Sequence, residues 1–118
     1  MRLLLPLVPL LVACASESVA FQEVSDTVIA GCAFSSCHGS GTGGLTLDGS
    51  ADDRDRLLSG ESVTGLPYVV PGDPDASYLV HKLEGGPDIE GELMPPGTPL
   101  DEETIGLVRD WIEEGAGE

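Results

Sequence analysis

Apolar positions along this chain recur at helical rather than strand spacing. Phe21, Val24 and Val28 fall at i, i+3 and i+7, and a further step of four reaches Cys32, so a helix starting near Phe21 carries that cysteine on its buried face. Residues 52–58 predict a second, short helix. Asp52, Asp53 and Asp55 sit where carboxylates favour the helix dipole, Leu57 and Leu58 lie near the end, and Gly60 stops it. Asp73 followed by Pro74 is an N-cap and a proline at the first helical position, which predicts a helix over 74–84. Ala76, Leu79, Val80 and Leu83 share its buried face and Gly85 ends it. The last helix has Asp101 as N-cap, Glu102 and Glu103 in the first turn, and Gly115 just past the end. Ile105, Leu107, Val108, Trp111 and Ile112 cover an arc of about 160° on it, leaving Arg109, Asp110, Glu113 and Glu114 outside. Between these elements, 39–44 reads as a Gly/Ser/Thr loop without regular structure, followed by a brief apolar alternation at Leu45 and Leu47. Residues 65–71 read as an extended connector restricted by Pro67 and Pro71, and 85–99 as a Gly- and Pro-rich loop containing Leu93, Met94, Pro95 and Pro96. The pattern is that of one all-α domain over 21–118, with no internal repeat.

A different pattern opens the chain. Met1 and Arg2 precede an apolar run over 3–12, a positive segment and a hydrophobic segment too short to cross a bilayer as a folded helix; 1–13 is expected to be an export address. Leu11, Val12, Ala13 and Cys14 resemble a bacterial lipobox. That resemblance implies cleavage before Cys14, lipid on Cys14, and a polar tether over 14–20. An ordinary signal peptide cut near Ala13 or Ala15 is the other reading. In both the chain is exported, and with lipid on Cys14 it is held on a membrane, facing the periplasm or the cell exterior.

The formal net charge of −16 argues against nucleic acid as a partner and against adsorption of the folded surface to anionic lipid. It suits a basic protein partner and, equally, a solvated face that keeps an exported protein soluble. Large core-filling side chains are scarce: the aromatic residues are Phe21, Phe34, Tyr68, Tyr78 and Trp111, against nine prolines and sixteen glycines. A domain of this size obtains only a few kcal/mol of net stability from its core alone, so an additional bound group or cross-link is expected.

The chemically informative segment is Cys32-Ala33-Phe34-Ser35-Ser36-Cys37-His38. Covalent haem needs two thiols to add to the two vinyl groups of the porphyrin and an imidazole next to the second thiol to ligate the iron. Cys37 and His38 supply that fixed end. Four residues rather than the usual two separate the cysteines; Ser35 and Ser36 are small and polar enough to loop out, and Phe34 is placed to pack on the haem edge. Two cysteines in an exported chain also suit a disulfide, and the motif by itself leaves both readings open. Zinc lacks a ligand set, because His81 lies on a separate helix without a paired spacing. The spacing of Asp48, Asp52, Asp53 and Asp55 does not match an EF-hand loop. Met94 is the one methionine besides Met1, and it stands in a proline-stiffened loop rather than in a helical stripe, where methionine usually fills gaps. His81, the competing iron ligand, lies about 150° from the centre of its helix's apolar face and is expected to point to solvent. Neither a hydrolase-like cluster nor a phosphate-binding glycine loop is present.

Several landmarks occur together: Cys37-His38-Gly39, Gly44-Leu45-Thr46-Leu47, Val70-Pro71-Gly72-Asp73-Pro74 leading to Ser77-Tyr78-Leu79, Met94-Pro95-Pro96, Pro99-Leu100, and Trp111-Ile112 with Gly115-Ala116. In order and spacing they resemble small bacterial cytochrome c domains found in myxobacterial lipoproteins and related to planctomycete-type cytochrome c modules. The resemblance covers nearly all of the chain after Cys14. It implies an all-α cytochrome c-like fold in which the first helix runs into the haem motif and the last helix packs on the first, with Trp111 at the contact. It implies haem c on Cys32 and Cys37, with His38 as proximal and Met94 as distal iron ligand. The implied function is that of a mono-haem electron carrier, not an enzyme, with redox proteins as partners and no small-molecule substrate. The rival from another class is a non-haem structural or binding lipoprotein with a Cys32–Cys37 disulfide.

Overall fold

Phe21, Val24 and Val28 turn inward as their spacing requires, but on two different turns of chain. The computed structural model describes residues 17–86 and 88–118 together with Pro9; Cys14 and the export address apart from Pro9 lie outside the described residues. Helix α1 is Phe21–Thr27. At Val28 the backbone leaves the α region (φ −122°, ψ −60°) and tightens into a 3-10 turn over Ile29–Cys32. A continuous α-helix would carry Ile29 about 100° around from Val28; the tighter turn lets these two adjacent β-branched residues both be buried.

Helix α2 is Asp52–Ser59, α3 is Tyr78–Glu84 and α4 is Glu102–Glu113. No strand forms among the described residues beyond one isolated bridge between Glu61 and Pro67, so the fold is all-α. No helix among them is long and apolar enough to cross a membrane. As expected, α4 begins on an Asp101 cap that accepts the Thr104 N–H at 2.7 Å, and it packs on α1. Trp111 is fully buried at that contact, its ring 5.4 Å from that of Phe21, and its indole N–H donates to the Gly117 carbonyl at 2.8 Å. Arg109, expected outside the apolar arc, is half-buried and ties α4 to Glu84 (2.6 Å) and Asp75 (2.9 Å).

The helix expected over 74–84 is divided. Pro74–Ala76 is a 3-10 turn, Ser77 is extended (φ −90°, ψ 117°), and only then does α3 begin. The buried Ser77 hydroxyl donates to the Asp73 carbonyl (2.9 Å) and accepts the Val70 N–H (2.8 Å), contacts specific to the broken geometry. Ala76, expected on the buried face, is exposed as a result. The loop expected over 39–44 is also more regular than its composition suggests. It forms 3-10 turns at His38–Ser40 and Thr42–Gly44, joined through Gly41 in the left-handed region (φ 81°), where a side chain would be strained.

In α2 one member of the acidic cluster folds inward while Asp52 and Asp55 stay exposed. Asp53 is fully buried and accepts the backbone N–H groups of Asp48 (3.1 Å) and Gly49 (2.8 Å) and the Arg56 guanidinium (2.6 Å). Its oxygens are thus occupied in holding the turn that precedes the helix.

Candidate functional site

An apolar cleft of about 410 Å³ lies between the end of α1, the glycine turns, α3 and the loop after it. That is within the range of small-molecule and cofactor sites, roughly 300–1,000 Å³. Val28, Ile29, Leu45, Leu47, Leu79 and Leu83 supply its aliphatic wall. Cys32, His38 and Met94, which are far apart in sequence, all border it. Cys37 and His81 do not.

His38 is positioned by backbone. Its Nδ1 lies 3.0 Å from the Leu45 carbonyl, and a carbonyl only accepts, so Nδ1 carries the proton and Nε2 keeps a bare lone pair. The two glycine turns return the chain to make that bond, and the Leu47 N–H closes the loop on the His38 carbonyl at 3.0 Å. Gly39 is required by space: a Cβ there would stand 2.4 Å from the Ala33 carbonyl oxygen and 2.8 Å from that of Phe34.

The Cys32 thiol donates to the Val28 carbonyl at 3.4 Å; burial pushes its pKa up, and the neighbouring Cys37 adds to the shift. Both cysteines are free thiols. Cys37 is half-buried, with its sulfur 3.9 Å from the Ser36 hydroxyl. Phe34, expected against a haem edge, is instead 65 % exposed and forms no part of the wall. Met94 is half-buried, and its N–H donates to the Lys82 carbonyl at 2.9 Å, which ties the proline-rich loop to α3.

His81 lies off the cleft, as expected, but does not point freely to solvent. Its Nε2–H donates to the Asp75 carbonyl, brought there by the 3-10 turn before α3, and its Nδ1 is buried without a partner. Among the described residues no three His, Cys, Asp or Glu side chains converge as a metal-ligand group.

Sequence reasoning missed three contributors: the Leu45 carbonyl, the Tyr68–Tyr78 pair and Lys82, all at the cleft. The leucine alternation signals burial but not where a carbonyl aims. The donors that do converge are one thiol, an imidazole with its Nε2 lone pair free, and a thioether, set in apolar walls, with the second thiol adjacent in sequence to His38. That set suits a covalently held haem: soft sulfur and imidazole donors suit iron, and the walls suit a flat apolar ring. Comparison with protein-family models, with curated proteins and with solved structures finds no match for the chain.

Proposed function

We propose that this chain is an exported, lipid-anchored, mono-haem c-type cytochrome that carries single electrons. The observation that carries the reading is the meeting of Cys32, His38 and Met94 on one apolar cleft. Cys32 and Cys37 are the attachment thiols, His38 Nε2 the proximal ligand and the Met94 thioether the distal one. Haem bound there supplies a one-electron ferric/ferrous couple.

The chain's residues set the conditions for that couple. The Leu45 carbonyl fixes the imidazole plane and its tautomer, the usual role of such an outer contact on a ligating histidine. The aliphatic walls would keep water from a haem ring, and both they and the Met94 thioether would favour the ferrous state. His38 and Met94 are the side chains that would hold the iron, and with both engaged small substrates would be kept from it, which suits electron transfer rather than catalysis. The acidic surface suits a basic redox partner. Lipid on Cys14 would hold the carrier at the membrane where such partners work.

Production in cells that export the chain and attach haem tests this. A denatured chain that retains haem peroxidase stain on a gel supports it, and His38→Ala should lose the low-spin spectrum. A colourless chain made under those conditions refutes it.

A further inference from the structure

Lys82, Tyr78 and Tyr68 stand together at the cleft, linked through Glu90 and the tyrosine ring pair. Lys82 is the chain's only lysine, and among the described residues it is the one cation bordering the cleft. It projects from α3 beside the wall residues Leu79 and Leu83, and its Nζ donates to the Glu90 carbonyl, which leaves two of its three N–H donors. The Tyr78 hydroxyl accepts the N–H of the same Glu90 at 3.0 Å. Tyr68 packs edge-on against Tyr78 with ring centroids 6.3 Å apart. Both tyrosines border the cleft, and neither hydroxyl donates to an acceptor among the described residues. These ammonium and hydroxyl donors, in a cleft walled mainly by aliphatic side chains, are available to an incoming acceptor.

Haem is not purely apolar: it carries two carboxylates. In a chain of net charge −16, with Glu90 and Glu92 also at the cleft, those carboxylates need a cation and neutral donors nearby. We propose that Lys82, Tyr78 and Tyr68 form the corner that receives the haem carboxylates, Lys82 through a charge-assisted hydrogen bond and the tyrosines through their O–H groups. The assignment rests on the haem reading above and fixes which way round the ring lies.

The test uses the haem-loaded exported protein with Lys82→Gln, Lys82→Arg and Tyr78→Phe, followed by resonance Raman and redox titration, with thermal melts alongside. Lys82→Gln should shift the carboxylate-bending bands and lower the midpoint potential, because a cation that disfavours ferric iron is gone. Lys82→Arg should restore both, and Tyr78→Phe should shift the bands. If Lys82→Gln lowers only the melting temperature and leaves bands and potential in place, Lys82 merely ties the Glu90 loop and the proposal is overturned. Absence of haem stain on the unsubstituted chain would refute the haem reading itself, a result distinct from unshifted bands on a stained chain.

Discussion

One hydrogen bond decides which nitrogen of His38 faces the cleft, and that choice separates a ligand from a bystander. His81 shows the contrast: its Nε2 is engaged by the Asp75 carbonyl, its Nδ1 is buried, and its ring does not border the cleft. Under the proposed haem reading, Met94→Ala should therefore abolish the weak near-infrared band of ferric iron bound by methionine sulfur and admit external ligands, while His81→Ala leaves band and potential nearly unchanged. Loss of low-spin character in the His81 variant alone would reverse the assignment. Two surface carboxyls give a pH prediction. Hydrogen bonds from Arg56, then from Ser50, hold Asp48 well below the carboxylate range, and hydrogen bonds from the Thr104 side chain and N–H lower Asp101. Each binds its proton less readily folded than unfolded. Their stabilisation is complete above the unfolded value of about 4 and is lost as pH falls through the lowered folded values. Circular dichroism melts should show a falling melting temperature below about pH 4, with a shallower fall in Asp101→Asn; an unchanged slope in that variant would contradict the cap's share.

Helix positions were legible from periodicity and caps because those signals are local: α2 and α4 begin and end close to where Asp52, Asp101 and Gly115 place them. The breaks were not legible, since they depend on partners elsewhere in the chain. Ser77 leaves the helix to bond Val70 and Asp73, and α1 tightens after Val28 to bury Ile29, neither of which alters the local pattern of apolar positions. The glycine segment was misread for a related reason: composition records flexibility, whereas here positive φ at Gly41 builds the turns that bring Leu45 back to His38. Gly39→Ala should cost about 1–3 kcal/mol by crowding the Ala33 and Phe34 carbonyls. Denaturant unfolding would read this, and a neutral result would show that the turn relaxes freely. Asp53→Ala should cost about 1–3 kcal/mol in denaturant unfolding, because it strands the N–H groups of Asp48 and Gly49 while Arg56 keeps its pairing with Asp48.

At the scale of the whole molecule, one side of α1 and α4 forms a closed core around Trp111, while Leu47, Tyr68, Tyr78 and Leu83 face the cleft as well as each other. The sequence marked Cys32, His38 and Met94 by residue type and placement, and the fold brings those three together. It could not mark Lys82 or the tyrosine pair, whose place depends on how α3 meets the segments on either side of it. If the proposed haem ring completes the core at the cleft, the haem-free chain should be largely unfolded; a cooperative melt of that form, followed by circular dichroism, would show that the Trp111 core suffices. The central claim is the covalent haem itself. Intact mass spectrometry of the exported chain, denatured before analysis, should give the polypeptide plus one haem, with Cys32 and Cys37 both resistant to alkylation after reduction. A bare polypeptide mass with two thiols that alkylate after reduction would contradict it.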